Sequence, residues 1–243
     1  MARSLLRWLA PLGLFVAGCS TLRPRSDLDT RAAALLQREC DGGVMASCVH
    51  LSFMYRAGRG VPRDPARSVA LVRGACDRHF APGCTVLAYH YVQGDGVETD
   101  LTKAAALLRQ ACDGGDLVGC EGLAEAYNKG RGVPHDDAQA LALARRACED
   151  GHTPRGCGYL AWITLKGLGV PRDPAGAAHL FRQACDANDL QSCTELATLY
   201  ESGDGVERSD AEATALLRRA CDRGSGKACA RLGQRAQAPG PKE

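Results

Sequence analysis

The sequence predicts an all-α protein, an α/α solenoid of about five and a half helix-pair repeats of 36 residues, each stapled by a disulfide. The first observation behind this is a cysteine ladder. Twelve of the 13 cysteines form six pairs, Cys40/Cys48, Cys76/Cys84, Cys112/Cys120, Cys148/Cys157, Cys185/Cys193 and Cys221/Cys229. Seven residues separate the partners in every pair except the fourth, which has eight, and the first members step by 36, 36, 36, 37 and 36. A fixed period of this length marks stacked supersecondary units. The second observation is a stripe repeated in each unit: cysteine, then Leu, a small residue and an aromatic three, four and seven positions on, which is one face of a helix. The copies are Cys48-Leu51-Ser52-Tyr55, Cys84-Leu87-Ala88-Tyr91, Cys120-Leu123-Ala124-Tyr127, Cys157-Leu160-Ala161 and Cys193-Leu196-Ala197-Tyr200, with Thr164 replacing the aromatic in the fourth.

Residues 1–18 read as a leader. Arg3 and Arg7 precede an apolar run, Trp8 to Gly18, that is too short to span a bilayer and fits a secretory hydrophobic core. Val16-Ala17-Gly18-Cys19 looks like a bacterial lipobox, in which cleavage precedes the cysteine and the cysteine is acylated. Cys19 is also the one cysteine outside the ladder. Ser20 follows it in place of the Asp that retains lipoproteins at the inner membrane, so the likeness implies an exported lipoprotein of the outer membrane, facing the periplasm or the surface. Residues 19–28 comprise the lipidated cysteine and a polar linker, 29–235 the array, and 236–243 a disordered tail.

Within the array each first helix stops at Gly-x-Gly-Val: Gly58 to Val61, Gly94 to Val97, Gly130 to Val133, Gly167 to Val170 and Gly203 to Val206. The first glycine suits a left-handed C-cap, and the valine plugs the loop into the core. Asp64, Asp100, Asp136, Asp173 and Ser209 are N-cap candidates for the second helix, with Pro65 and Pro174 at its first position. That helix is rich in Ala and Leu and ends Ala-Cys, so each cysteine pair joins a second helix to the first helix of the next unit. The array opens on a lone second helix and closes on a lone first helix, giving about twelve helices. The turn Glu149 to Gly156 holds one extra residue and is expected to absorb it, leaving the Cys148–Cys157 bond and the facing of Leu160 unchanged.

Composition removes several classes of function. With Arg3 and Arg7 gone, 28 basic residues face 28 acidic ones, so there is no basic stripe for nucleic acid. Paired cysteines at this density point to an oxidising compartment. Their spacing supplies no four-ligand zinc set, and the six histidines (His50, His79, His90, His135, His152, His179) stand at unrelated repeat positions, read as solvated or cap-region residues. Neither a metal nor any other cofactor is expected.

Leu, small residue, Tyr, Gly-x-Gly-Val, Asp and an Ala-rich helix at this period resemble the Sel-one-like repeat (SLR) family over residues 29–235, and the cysteine pairs resemble its Helicobacter cysteine-rich, Hcp-like branch. The resemblance implies a tetratricopeptide-like right-handed superhelix acting as a scaffold that binds a protein or peptide. It also implies an alternative, a β-lactamase-like, penicillin-binding hydrolase, because some Hcp-like members carry that label. The sequence contains neither Ser-x-x-Lys nor Lys-Thr-Gly, so no catalytic residue is assigned. Positions two and five residues after each cysteine flank the core stripe, where Phe53, Tyr89, Tyr159 and Trp162 are the candidate partner-binding residues. Large aromatics there serve a peptide groove or pack on the neighbouring unit; both readings stand at this point.

Overall fold

A computed structural model describes residues 25–237, with side chains from 27 to 235. Twelve α-helices follow one another, with no strand among the described residues: α1 (Arg25–Asp41), α2 (Met45–Ala57), α3 (Pro65–Asp77), α4 (Ala81–Gln93), α5 (Leu101–Asp113), α6 (Leu117–Lys129), α7 (Asp137–Arg145), α8 (Pro154–Lys166), α9 (Pro174–Asp186), α10 (Leu190–Ser202), α11 (Asp210–Asp222) and α12 (Gly226–Gln237). Even-numbered helices are the first of each pair and odd-numbered ones the second. Each packs on its neighbours in sequence, and the first helices from α2 to α10 also meet one another in succession. The lone helix α1 starts at Arg25, ahead of the expected Asp29, and α12 runs to Gln237, past the expected end of the array. Cys19 and the leader lie outside the described residues.

Local chemistry accounts for the helix ends. The side chains of Asp64, Asp100, Asp136 and Asp173 accept a hydrogen bond from the amide three residues on, at 2.9–3.0 Å, and Ser209 does so at 3.2 Å. Four of the six first helices, α6, α8, α10 and α12, have their own side-chain caps, which sequence reading did not single out: Asp116, Thr153, Asp189 and Ser225. The glycines that close the first helices are left-handed, with φ from 61° to 72°.

The second glycine of each Gly-x-Gly has a different duty. It too has positive φ, and it lies against the opening backbone of the preceding unit's second helix. A Cβ on Gly96 would stand 2.4 Å from the carbonyl oxygen of Pro65, and one on Gly132 2.0 Å from that of Leu101. Side chains are thus excluded twice over, by conformation and by space. The valine that follows the motif packs into the core in all five copies.

The core is narrow and built from small residues. Ala75, Ala111, Ala147, Ala184 and Ala220, each just before a cysteine, are fully buried. The bonds are Cys40–Cys48, Cys76–Cys84, Cys112–Cys120, Cys148–Cys157, Cys185–Cys193 and Cys221–Cys229, with Cα atoms only 4.4–4.7 Å apart. Each closes a loop of about nine residues, which the chain-entropy model values at roughly 2.5 kcal/mol.

The sequence does not distinguish the last bond from the others, but the structure does. From Cys76 to Cys193 every cysteine of the ladder is buried, whereas Cys221 and Cys229 are only half-buried, and so is Cys40 at the opposite end. Cys229 lies on α12, after which no further unit follows among the described residues to cover it. Reductant should therefore open Cys221–Cys229 before the four inner bonds, because a thiolate must reach a sulfur to attack it. Timed alkylation and peptide mapping under mild reduction would give that order.

Beyond the disulfides, arginines tie one unit to the next. Arg73 donates to the Tyr91 hydroxyl at 3.1 Å, and Arg109–Tyr127 and Arg182–Tyr200 repeat that pair. Thr164, shorter than tyrosine, interrupts the series at the fourth unit.

The extra residue of the fourth junction is absorbed on its helical side. Arg146–Asp150 forms a π-helical turn that continues α7, so His152 N–H reaches back to Cys148 O at 3.0 Å and Thr153 N–H to Ala147 O at 3.2 Å. The corresponding bonds at the third junction, Gly115 to Cys112 and Asp116 to Ala111, each span one residue fewer. Cys148 and Cys157 remain bonded and Leu160 is buried. Widening the last helical turn leaves the next helix in register.

Two histidine readings need correction. His79 and His152 are at equivalent positions: both occupy the left-handed residue of the inter-unit turn, with φ of 60° and 50°, where Gly115 and Gly224 stand elsewhere. His90 stands in the last turn of α4, beside its C-cap, but is buried rather than solvated. It is 1% exposed, with one ring nitrogen 3.0 Å from the Ser68 hydroxyl and the other 2.6 Å from the Asp95 carbonyl oxygen. Since a carbonyl only accepts, Nδ1 carries the proton and Nε2 accepts from Ser68.

The glycine geometry gives a sharp test. Gly96→Ala should cost about 2 kcal/mol or more, because it combines left-handed strain with a backbone collision. Gly74→Ala, in an exposed helical site with nothing within 4 Å of the new carbon, should instead stabilise by about 0.5–1 kcal/mol. Urea unfolding of the two variants beside the parent measures both signs.

Candidate functional site: an aromatic, acid-edged cavity on the first helices

The first helices present their second and fifth positions after each cysteine as columns beside the buried stripe. In the middle of the array these columns change composition. Position two is Val86 in α4, Gly122 in α6 and Tyr159 in α8; position five is Tyr89, Glu125 and Trp162. Gly122, flanked by large rings, lines a cavity of about 380 Å³ walled by α4, α6, α8 and α10, with the buried Phe181 of α9 also in its wall. Gly158 lets α10 close in on α8 at the cavity wall, since a Cβ there would stand 2.4 Å from the Ser192 hydroxyl.

The rings are placed by packing. Tyr159 and Trp162 stack with centroids 5.8 Å apart and planes 11° from parallel. The Tyr159 hydroxyl reaches over α6 to the Ala124 carbonyl at 3.4 Å. Tyr89, from the other side, comes close to Gly122. Three of the four residues expected to bind a partner, Tyr89, Tyr159 and Trp162, therefore meet at one cavity. Phe53 does not join them. It sits on α2, 40% exposed, with the Arg56 guanidinium 5.7 Å from its ring centroid.

Charge at the rim is mixed, with acid in excess. Glu121, Glu125, Asp189 and Glu195 face Lys129 and Arg155. Glu125 pairs with Lys129, Glu195 with Lys227 at 3.3 Å, and Asp189 caps α10 through the Ser192 amide at 2.9 Å. Burial pushes the Glu121 carboxyl above its ordinary range, against the opposing pull of the Thr153 hydroxyl and Arg155. Burial likewise raises both phenols, Tyr89 and Tyr159. Burial thus disfavours the charged form of all three groups, as expected of a site partly withdrawn from water.

The cavity offers binding chemistry. Ser192, the one serine in its wall, donates to the Asp189 carboxylate that caps α10. Among the described residues, no cluster of His, Cys, Asp and Glu is placed to hold a metal ion. Sequence reading located the rings but missed Glu121 and the two glycines, because their role depends on which units flank them.

Five copies of the Sel1 repeat match this chain, over residues 46–78, 81–116, 118–152, 154–189 and 190–225. Among solved structures it is similar to a protective antigen of uropathogenic Escherichia coli displaying an SLR fold, at 27% identity and a TM-score of 0.68, covering 88% of this chain and 46% of that one. The chain thus spans under half the length of that relative. It is also similar in fold to a Sel1 repeat protein from Oxalobacter formigenes, at 23% identity and a TM-score of 0.70, over 78% of this chain and 77% of that one. Helicobacter pylori cysteine-rich protein B aligns at 28% identity and a TM-score of 0.44, over 55% of this chain and 96% of that one. No curated protein gives a match.

The raised Glu121 carboxyl has a consequence for stability. A folded-state value above the unfolded one means that the folded chain holds the proton longer. Stability from this group is therefore greatest below the unfolded value, 4.5, and is lost as pH rises through the higher folded value. Glu121→Gln should remove that loss, so the variant should match the parent at low pH and be the more stable of the two at neutral pH. Urea midpoints at pH 4 and pH 7 would show it; a variant weaker than the parent at neutral pH would contradict the assignment.

Proposed function

This chain belongs to the Sel1 repeat family, and we propose that it is an exported, lipid-anchored scaffold that holds a protein or peptide segment in the cavity between Tyr89, Tyr159 and Trp162. A Sel1-repeat helical scaffold is a frame for protein–protein interaction, and its extended surface suits recognition better than catalysis. The observation that carries the reading is the meeting of three large rings around glycine-lined space. Rings of this kind, rigid and partly withdrawn from water, are the usual anchors of an interface. The acid excess at the rim favours a segment bearing a basic side chain, whose cation would lie against ring faces and beside carboxylates.

Export is supported by six disulfides, which persist in oxidising compartments. The anchor reading rests on Cys19 in its lipobox-like setting, followed by Ser20. Among the described residues no helix is long and apolar enough to cross a membrane. Acylation at Cys19 supplies attachment without such a helix.

Titration calorimetry of peptides with and without Lys or Arg tests the binding reading. Basic, apolar-flanked peptides should bind best. Trp162→Ala should weaken them by about 2 kcal/mol, the scale of an interface anchor, while Phe53→Ala leaves them unchanged. Equal binding by parent and Trp162→Ala, or turnover of nitrocefin stopped by a serine-directed inhibitor, would replace it.

The anchor has its own test. Cys19→Ala should leave the precursor uncleaved by the lipoprotein peptidase and shift any cleaved product to the soluble fraction. Membrane retention through a carbonate wash, unchanged by the substitution, would remove the lipid anchor from the account.

A further inference from the structure

The two ends of the array are finished differently. Every second helix carries a leucine five residues before its cysteine: Leu35, Leu71, Leu107, Leu143, Leu180 and Leu216. From Leu71 onward it is covered, because the first helix of the same unit lies over it. Leu71 packs with Leu51 and Tyr55 of α2, and Leu180 with Leu160 and Ile163 of α8. No first helix precedes α1 among the described residues, and Leu35 is 56% exposed. Leu28, seven residues earlier, is exposed to the same extent.

Residues 28, 31, 35 and 38 fall on one stripe of α1, at helical spacings of three and four. That stripe alternates leucine with arginine, since Arg31 and Arg38 are exposed as well. The acidic side chains of this helix are engaged: Asp27 with Arg31 at 3.4 Å, Asp29 with Arg59 at 3.0 Å, and Glu39 with the Ser47 hydroxyl at 2.6 Å. The far end contrasts with this. On α12, Arg231 and Arg235 bond to Glu201, Arg235 also to Asp210 at 2.9 Å, and Lys227 to Glu195 at 3.3 Å. Repeat arrays need a polar end cap to stay soluble. The last helix supplies one, and among the described residues the first helix leaves Leu28 and Leu35 exposed, beside Arg38 and the Asp27-paired Arg31.

We infer that α1 lies on the anionic surface of the bilayer through Leu28, Arg31, Leu35 and Arg38, so that the membrane caps the open end of the solenoid. The inference rests on the lipid-anchor reading of Cys19. Only residues 20–24 separate Cys19 from α1, and at about 3.5 Å per residue they reach no farther than roughly 20 Å. The lipid surface is therefore the partner held next to this stripe at high effective concentration. Leucines entering the acyl boundary and arginines reaching to anionic headgroups are the pattern of an interfacial helix. The contact need not be strong alone, because the acyl chains already hold the protein in place. Its effect is orientation: the axis of the array is set relative to the membrane.

The test uses the lipidated protein with Trp162→Phe as background, bound to vesicles of phosphatidylcholine and phosphatidylglycerol with brominated chains. In vesicle-floated protein, Leu35→Trp emission should shift to the blue and be quenched by bromine. A control, Arg223→Trp near the other end, should show neither effect. Arg31→Glu with Arg38→Glu should abolish the shift while the protein still floats. Floating protein whose Leu35→Trp emission stays solvent-like overturns the docking and leaves the anchor standing. Protein that fails to float removes the anchor and the docking together. A blue shift without vesicles, in protein sedimenting as a dimer, assigns the stripe to a second copy and overturns the inference.

Discussion

The structure depends on how closely the second helix of one unit approaches the first helix of the next. Cα atoms of the bonded cysteines stand 4.4–4.7 Å apart, at the short end of what a disulfide spans. At the inner junctions small neighbouring side chains accompany that contact. Alanine precedes the first cysteine of five pairs, and Gly83, Gly119 and Gly156 precede the second, each so close to the facing alanine that a Cβ would stand 2.7–2.8 Å from it. Small residues and disulfides are thus one device. The first permit the approach and the second fix it. A core this poor in bulk would be weakly held by burial alone.

That device separates the residues that build the array from those free to vary. Cysteine, Leu, the small residue and the two glycines of the loop are committed to stacking. The columns two and five residues after the cysteine are not, so they can hold Val86, Gly122 or Tyr159 without disturbing the frame. A regular solenoid can therefore carry an irregular site. Function here is a matter of which variants stand side by side, and the cavity at Gly122 exists because tyrosine rings flank it on α4 and α8.

This division explains how legible the sequence was. Periodic features could be read directly, because each is repeated five or six times: the stripe, the second-helix caps and the cysteine pairing within one turn. What escaped reading was unique or relational. His90 looks like any polar residue until Ser68 and the Asp95 carbonyl are found around it. The second loop glycine has a role set by the backbone of another unit, which no single copy reveals. Cys229 has the spacing of the other cysteines, and only its place on the last helix leaves it half-buried. Phe53, chosen on the same grounds as Tyr89, lies apart on α2, outside the cavity that α4, α6, α8 and α10 line.

The departures from the period also cluster. The fourth junction has the extra residue and its π-helical turn, and Thr153 caps its first helix where Asp116 and Asp189 cap those of the flanking units. It also has Gly158 where other units carry a side chain, and Thr164 where they carry tyrosine. The same helix, α8, brings Arg155, Tyr159 and Trp162 to the cavity, and Thr153 helps to hold Glu121. Each departs from the repeat in its own way: a wider turn, an absent arginine–tyrosine tie and a glycine that admits Ser192. Local rules are broken where another requirement acts on the same residues, and here the broken rules and the cavity share one helix. That coincidence ties the binding reading to α8 independently of the chemistry of its rings.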